Sequence, residues 1–358
     1  MLIQQDLNKL SETEEDKRNK LKLEKPYVYE KIMQYDAKVK RGESIAIIQF
    51  QYDYTCNFRC QHCCITKLRR KKGERCFTIE DVRELSRQAD EMGLAHIVIT
   101  GGEPLMFPDF DDIVKAIDPL KFYITSDTNG WLLDAERAKH LKSIGVDKIQ
   151  LSLDSLSAAE HDEFRRKPGS HKRAVRAIDA SLDAGLNIIL STVVTKQRVR
   201  SQEFIEFLEF AKAKGVAVFV TYAKPVGDWE GNLDVLVGRD DMDYMRGLEK
   251  KYNVFTHLTP AYGLDLGCIS VKRMVSVTKY GDVMPCPYIH TSLGNFFKEP
   301  LRDIIARGMR IKYFGEYIDT CLIAEDKKFI KEYESKRIYG KPLPVPYYEV
   351  FMDEDFID

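Results

Sequence analysis

An α/β fold with a parallel sheet is what the sequence predicts, and three observations predict it. Between Ile45 and Pro225 short apolar runs alternate with amphipathic stretches, giving six strand–helix units. The apolar runs are rich in Ile and Val, as strands buried on both faces are. Strands that alternate with helices at this spacing pair in parallel through helical crossovers.

The first strand is IAIIQFQYD, Ile45–Asp53. Thr78 to Met92 reads as a helix, with Ile79, Val82, Leu85 and Ala89 at helical spacing and Thr78 with Asp81 as an approximate capping box. HIVIT (His96–Thr100) is the second strand, Asp109 to Ile117 a short helix, and KFYITS (Lys121–Ser126) the third strand. Asp134 to Ser143 is a helix ended by Gly145, followed by the strand KIQLSLD, Lys148–Asp154. His171 to Ala184 is a helix, NIILSTVV (Asn187–Val194) the fifth strand, Ser201 to Lys214 a helix, and VAVFVTYA (Val216–Ala223) the sixth strand. Six units are two short of a full TIM barrel, so periodicity alone leaves an open doubly wound sheet and a partial barrel both standing.

After Pro225 the pattern changes. Asp240 to Tyr252 reads as a helix, Val271–Cys286 as a β-hairpin turning at Tyr280–Gly281–Asp282, and Leu301 to Arg310 as a helix. The stretch YGKPLPVPYYEVF reads as an extended segment packed on a surface. The expected division is an N-terminal helical arm (residues 1–44), a barrel (45–225) and a small α+β unit with a tail (226–358). Met1 to about Lys25 is expected to be solvated.

The 358 residues are 44% hydrophobic, enough for a full core, and 55 basic against 56 acidic residues argue against a broad nucleic-acid footprint. No run approaches the ~18 apolar residues of a membrane span, and the N-terminus lacks the apolar core of a signal peptide, so the cytoplasm is the expected compartment. In a reducing compartment clustered cysteines read as metal ligands or catalytic groups.

Such a cluster is CNFRCQHC, Cys56–Cys63, directly after the first strand. Three thiolates on a tight loop can hold three corners of an iron–sulfur cube and leave the fourth iron open. A zinc site completed by His62 or Cys64, or a chance cluster, is the alternative. GGEP (Gly101–Pro104) follows the second strand, TNG (Thr128–Gly130) the third, and SLDS (Ser152–Ser155) closes the fourth. All lie at strand C-termini, the face where α/β barrels bind ligands.

With these motifs the chain resembles the radical S-adenosylmethionine (SAM) enzymes. The resemblance rests on CxxxCxxC, GGEP, SLD and the downstream HDEFRRKPGS (His161–Ser170), and covers roughly Ile45 to Ala223. It implies a partial (β/α)6 TIM-like barrel. It also implies that Cys56, Cys60 and Cys63 ligate a 4Fe-4S cluster whose open iron binds SAM. Gly101, Gly102 and Glu103 would receive the SAM amino group, with Ser152 and Asp154 near its ribose or carboxylate. Arg165 or Arg166 would contact the carboxylate, and the His62 backbone and Tyr222–Pro225 would border the adenine. One electron into the sulfonium would release a 5′-deoxyadenosyl radical that abstracts a substrate hydrogen. The expected partners are a peptide or small-molecule substrate and a low-potential donor of flavodoxin or ferredoxin type, without nucleic acid or membrane. Cys64 and Cys76 are left over, either as packed small hydrophobes or as hydrogen-atom donors.

Downstream stand Cys268, twelve residues, Gly281, four residues and Cys286. This spacing resembles the opening of the twitch and SPASM auxiliary-cluster domains, and Cys321 is the natural third ligand. Three cysteines allow one auxiliary cluster; Asp319, Glu325, Asp326, His290 or water is its candidate fourth ligand, or its free iron binds substrate. The rival reading is a non-catalytic iron–sulfur or zinc protein that carries electrons or binds a partner, which has no need of GGEP and SLD on one face.

Overall fold

The structure is a computed structural model that describes residues 14–68 and 73–357. Six strands form its centre: β1 (Ile47–Asp53), β2 (His96–Gly101), β3 (Tyr123–Thr128), β4 (Lys148–Ser152), β5 (Asn187–Val194) and β6 (Ala217–Tyr222). Each pairs in parallel with the next. Ile48 and Phe50 of β1 are fully buried, as are Ile97 and Ile99 of β2, Ile124 of β3 and Ile149 and Leu151 of β4. The intervening residues of the same strands are more polar, which follows from the two-residue period of a strand.

Three helices precede the sheet: α1 (Glu14–Glu24), α2 (Pro26–Met33) and α3 (Tyr35–Lys40). Residues 1–13 of the expected solvated arm lie outside the described residues, and α1 is largely exposed. From Pro26 onward the arm is packed. Val28 and Tyr35 form a small core with Ile45, Ala95 and Leu266. Lys25 Nζ reaches the Asp147 carboxylate at 2.5 Å and the Phe122 carbonyl at 2.9 Å, and Lys31 Nζ reaches the carbonyls of Leu94 and Lys121. Leu94, Phe122 and Asp147 all precede strands, so these lysines stitch α2 and its approach across the N-terminal ends of the sheet.

The crossover helices are α4 (Ile79–Glu91), α5 (Phe110–Ile117), α6 (Ala135–Ser143), α7 (Ala158–Arg165), α8 (Ser170–Asp183) and α9 (Gln202–Ala213). The capping box at Thr78 and Asp81 is present in full, and α4 buries Val82, Leu85 and Ala89. Helix α7 was not expected. Its eight residues carry four charges and no clear apolar stripe, so packing against the sheet rather than pattern defines it.

Beyond residue 225 the chain forms α10 (Arg239–Glu249), the short β7 (Val254–Thr256), the hairpin β8 (Met274–Val277) and β9 (Asp282–Met284), then β10 (Thr291–Ser292), β11 (Gly294–Asn295), α11 (Leu301–Met309) and β12 (Val345–Pro346). The sheet order is β11-β9-β8-β1-β2-β3-β4-β5-β6-β7. One ten-stranded sheet therefore runs through the expected boundary: β7 extends the β6 edge in parallel, and β8 pairs in parallel with β1. The proline-rich tail is extended only at β12, which pairs with β10; Val345, Val350 and Phe351 are buried.

Candidate active site

At the C-terminal ends of the strands the sheet encloses a cavity of about 240 Å³. Cys56, Cys60, Cys63, Cys268, Cys286 and Cys321 all line it. The two groups of cysteines, more than 200 positions apart in the chain, share one chamber.

The first group rides on the loop after β1, and that loop is held by the GGEP and TNG segments. Glu103 N–H donates to the Thr55 carbonyl at 2.8 Å, and Gly102 N–H to the Asp53 carbonyl at 2.8 Å. The approach is so close that a Cβ on Gly102 would fall 2.0 Å from the Thr55 oxygen, a distance no side chain tolerates. The TNG segment ties the two loops together. Thr128 Oγ1 and the Asn129 N–H donate to the Glu103 carboxylate at 2.6 and 2.7 Å, and Asn129 Nδ2 donates to Asn57 Oδ1 at 2.8 Å. On the other side Gly227, in the left-handed region at φ 64°, lies where a Cβ would meet the Cys63 carbonyl at 2.2 Å.

Each predicted residue has a definite place. Gly101, Gly102, Glu103, Ser152, Arg165 and His62 line the chamber. Asp154 lies behind it: its carboxylate accepts Arg165 Nε at 2.6 Å and the Val193 N–H at 3.0 Å. Burial opposes the Asp154 charge, but the Arg165 guanidinium and two histidines outweigh it and hold the carboxyl well below its usual range. Arg165, oriented in this way, points Nη1 toward Cys60 Sγ at 3.8 Å. Arg166 turns away in the left-handed region and pairs with Asp228 at the surface. The His62 ring stacks on Phe164 with centroids 4.6 Å apart, and burial pulls its pKa down to about 3. Lys224 lines the chamber; Tyr222 and Pro225 do not. Cys64 lines it too, whereas the Cys76 thiol donates to the Glu74 carbonyl elsewhere.

The thiols suit an iron–sulfur group. Burial pushes Cys56 up to about 11, opposed by the Phe58 N–H, which donates to its sulfur at 3.4 Å. Burial also raises Cys60, and Arg165 opposes it. Cationic and N–H groups aimed at sulfur are the means by which proteins tune such clusters. Among the described residues no three His, Cys, Asp or Glu side chains converge as ligands of a single ion would. The thiols line a chamber of about 240 Å³, which has room for a group larger than a lone zinc.

In the second group Cys268, Cys286 and Cys321 are 3%, 9% and 5% exposed. Burial raises Cys286 to about 12 and also raises Cys321, where the Lys224 ammonium opposes it. The four candidate fourth ligands lie outside the chamber lining. Asp319 pairs with Arg239, Glu325 accepts the Cys321 N–H, and Asp326 caps a short helix at Lys327–Phe329. His290 is buried.

Comparison with known proteins decides what this chamber belongs to. Residues 53–211 match the model of the radical SAM superfamily, and residues 268–328 that of the iron–sulfur cluster-binding SPASM domain. A GTP 3′,8-cyclase of Helicobacter pylori is 34% identical over 295 residues, 80% of this chain and 87% of the relative. The chain belongs to the radical SAM superfamily. An AdoMet-dependent heme synthase of Nitratidesulfovibrio vulgaris is 24% identical, covering 77% of this chain and 83% of the relative. In fold the chain resembles Streptococcus suis SuiB bound to its precursor peptide SuiA (TM-score 0.59, 20% identity, 77% of this chain and 69% of that one). It also resembles anSMEcpe with bound AdoMet (TM-score 0.57, 18% identity, 76% and 82%).

As a radical SAM enzyme with a SPASM domain, it uses a 4Fe-4S cluster with SAM and an auxiliary iron–sulfur cluster. It cleaves SAM reductively to a 5′-deoxyadenosyl radical, which abstracts a substrate hydrogen; the non-catalytic reading is set aside.

Among the chamber residues that sequence reasoning missed is Asp127; Lys224 was read only as part of the Tyr222–Pro225 segment, without regard to its charge. Asp127 directly precedes the TNG motif, and an acid at a strand end beside that motif was the available signal.

Proposed function

We propose that this radical SAM enzyme oxidises, cross-links or epimerises an unactivated C–H position of a peptide held between two iron–sulfur sites. The observation that supports the reading is the single chamber lined by both cysteine groups. We assign Cys56, Cys60 and Cys63 to the SAM-binding cluster and Cys268, Cys286 and Cys321 to the auxiliary one. When bound, the first cluster and SAM supply the deoxyadenosyl radical.

The chain's own residues do the positioning. Glu103, with the backbone of Gly101 and Gly102, receives the SAM ammonium. Arg165, braced by Asp154, receives the carboxylate, a charge-assisted contact. The Ser152 hydroxyl serves the ribose, and the backbones of His62 and of the Tyr222–Pro225 segment border the adenine. Apolar wall residues such as Phe58, Ile65, Ile289 and Ile323 keep water and stray hydrogen donors from the reacting centre. Cys268, Cys286 and Cys321 face the same space, where the cluster they would hold would supply an acceptor for the electron of the substrate radical or a binding point for substrate.

The peptide is favoured because fold neighbours were solved with peptides bound, SuiA in one and the Cp18Cys peptide in another. A small metabolite is the second reading, favoured by the 34% identical GTP 3′,8-cyclase. No helix among the described residues is long and apolar enough to cross a membrane. We place the enzyme in the cytoplasm, served by a flavodoxin or ferredoxin.

The test is anaerobic reconstitution and assay of 5′-deoxyadenosine from SAM with dithionite. Short peptides encoded beside the gene are then co-expressed and examined for loss of hydrogens or inverted residues. Absence of deoxyadenosine overturns the enzymatic reading. Turnover of a nucleotide or tetrapyrrole with no peptide changed overturns the peptide part.

A further inference from the structure

Two groups of opposite charge, neither in an ion pair with a described residue, face the chamber. Asp127 stands near the C-terminal end of β3, and its Oδ1 is buried with no hydrogen-bond partner. The Thr100 hydroxyl hydrogen-bonds the carboxyl and the Glu103 carboxylate lies near, so no cation balances it. Lys224 follows β6 and is 5% exposed. Its Nζ donates to the Tyr222 carbonyl at 2.8 Å and lies 5.1 Å from the centre of the Tyr288 ring. Neither Asp127 nor Lys224 forms an ion pair with any described residue.

The contrast with Arg165 is instructive. That cation lines the same chamber but is matched by Asp154 at 2.6 Å. A buried ionisable group without a charged partner is costly to keep charged, and a ligand of opposite charge can supply the counterpart. Lys224 uses one of its three N–H donors on protein oxygen and lines the cavity with donors left over. Asp127 offers an acceptor there, and the two come from strands that are not neighbours, since β4 and β5 lie between them.

We propose that Asp127 and Lys224 are the two poles of the substrate site and select an amino-acid-like ligand: Asp127 accepts from an amine or amide N–H, and Lys224 donates to a carbonyl or carboxylate oxygen of the same molecule. The proposal rests on the peptide reading above and names the groups that would impose it. It accounts for the absence of a bond between the two charges, because a ligand that bridges them needs them apart. An apolar substrate would leave both without a counterpart.

The probe is triglycine, which carries both kinds of group and no side chain. Its binding to the reconstituted enzyme with SAM is measured by anaerobic calorimetry for the wild type, Asp127→Asn and Lys224→Met. Saturable binding weakened about tenfold or more in each variant supports the proposal, as does partial recovery in Asp127→Glu. Melting temperatures establish that the variants fold, and the removal of an unmatched charge is expected to leave them at or above the wild-type value. No saturable binding to the wild type, or equal binding by all proteins, overturns the proposal. So does a matching fall in SAM affinity, which would assign the pair to the cofactor. A wild type that makes deoxyadenosine but fails the triglycine test leaves the enzymatic reading intact, so the two failures are distinguishable.

Discussion

Cys56, Cys60 and Cys63 lie within eight residues of one loop, whereas Cys268, Cys286 and Cys321 are gathered from three separate stretches. The first site is held by loop-to-loop hydrogen bonds: Thr55 to GGEP, Asn57 to Asn129, and Gln61 to Phe164. The second is set in apolar packing, beside Ile289, Leu322 and Ile323, all nearly fully buried. A loop held by polar ties can shift when its ligand binds, while a site set in packed core holds its thiols in place. The difference teaches that the two sites answer to different forces, the first to hydrogen bonds from neighbouring strand ends and the second to the core itself.

The comparison breaks most readily at the thiols. Replacing Cys56, Cys60 and Cys63 by Ala should abolish deoxyadenosine formation and lower iron from about eight to about four per chain, while the Cys268→Ala, Cys286→Ala pair should remove the other about four. Mössbauer spectra and iron assays check both. A wild type that never exceeds one cluster would make the second group ordinary buried thiols.

Next in size is Glu103→Gln. Loss of the charge should weaken SAM binding by about 1.5–3 kcal/mol, roughly ten- to a hundredfold or more, with the second site keeping its iron. Equilibrium dialysis with SAM reads it, and unchanged affinity in a folded variant removes Glu103 from the assignment.

Gly102→Ala tests the polar ties themselves. Its Cβ must displace the Thr55 carbonyl, 2.0 Å away, so the folded state should lose about 1–3 kcal/mol. Iron at the first site should fall more than at the second; equal loss at both would mean that the loop and the core act as one unit.

The smallest expected effect is on pH dependence. Burial raises Asp127 and Glu103 to about 7, above the ordinary carboxylate value. The folded apo-protein then holds protons that the unfolded chain has released, so stability is highest below about pH 4 for these two groups and falls as pH rises toward 7. Urea unfolding at several pH values should show this slope flattened in Asp127→Asn. An unchanged slope would place the Asp127 carboxyl in water.

The contrast also explains what was legible in the sequence. Cys56–Cys63 announced itself because local spacing carries the site, and GGEP and TNG because each closes a strand. The six strands were readable from Ile- and Val-rich runs such as Ile97–Ile99 and Ile188–Leu190. Helix α7 was not, because its place is fixed by Arg165 and His161 turning inward rather than by an apolar stripe. The sequence placed Asp154 beside the ligand; in three dimensions it stands behind Arg165, since the same short SLD segment also closes on the Val193 N–H. The pairing of β8 with β1 had no local signature, because a strand partner more than 200 residues away leaves no period to count. Asp127 and the charge of Lys224 escaped for the same reason: their meaning lies in what surrounds them in space.

The register of β8 on β1 has a consequence for biosynthesis. Ile47–Phe50 leaves the ribosome long before Met274–Val277, its neighbour along one edge. Until then β1 has β2 on one side and an unfilled row of backbone donors and acceptors on the other, the kind of edge that recruits foreign strands. Contacts of such long sequence separation form late and slowly. Nascent chains ending before the hairpin are therefore the vulnerable species, and a stop codon near residue 260 should give an aggregating product rather than a working barrel.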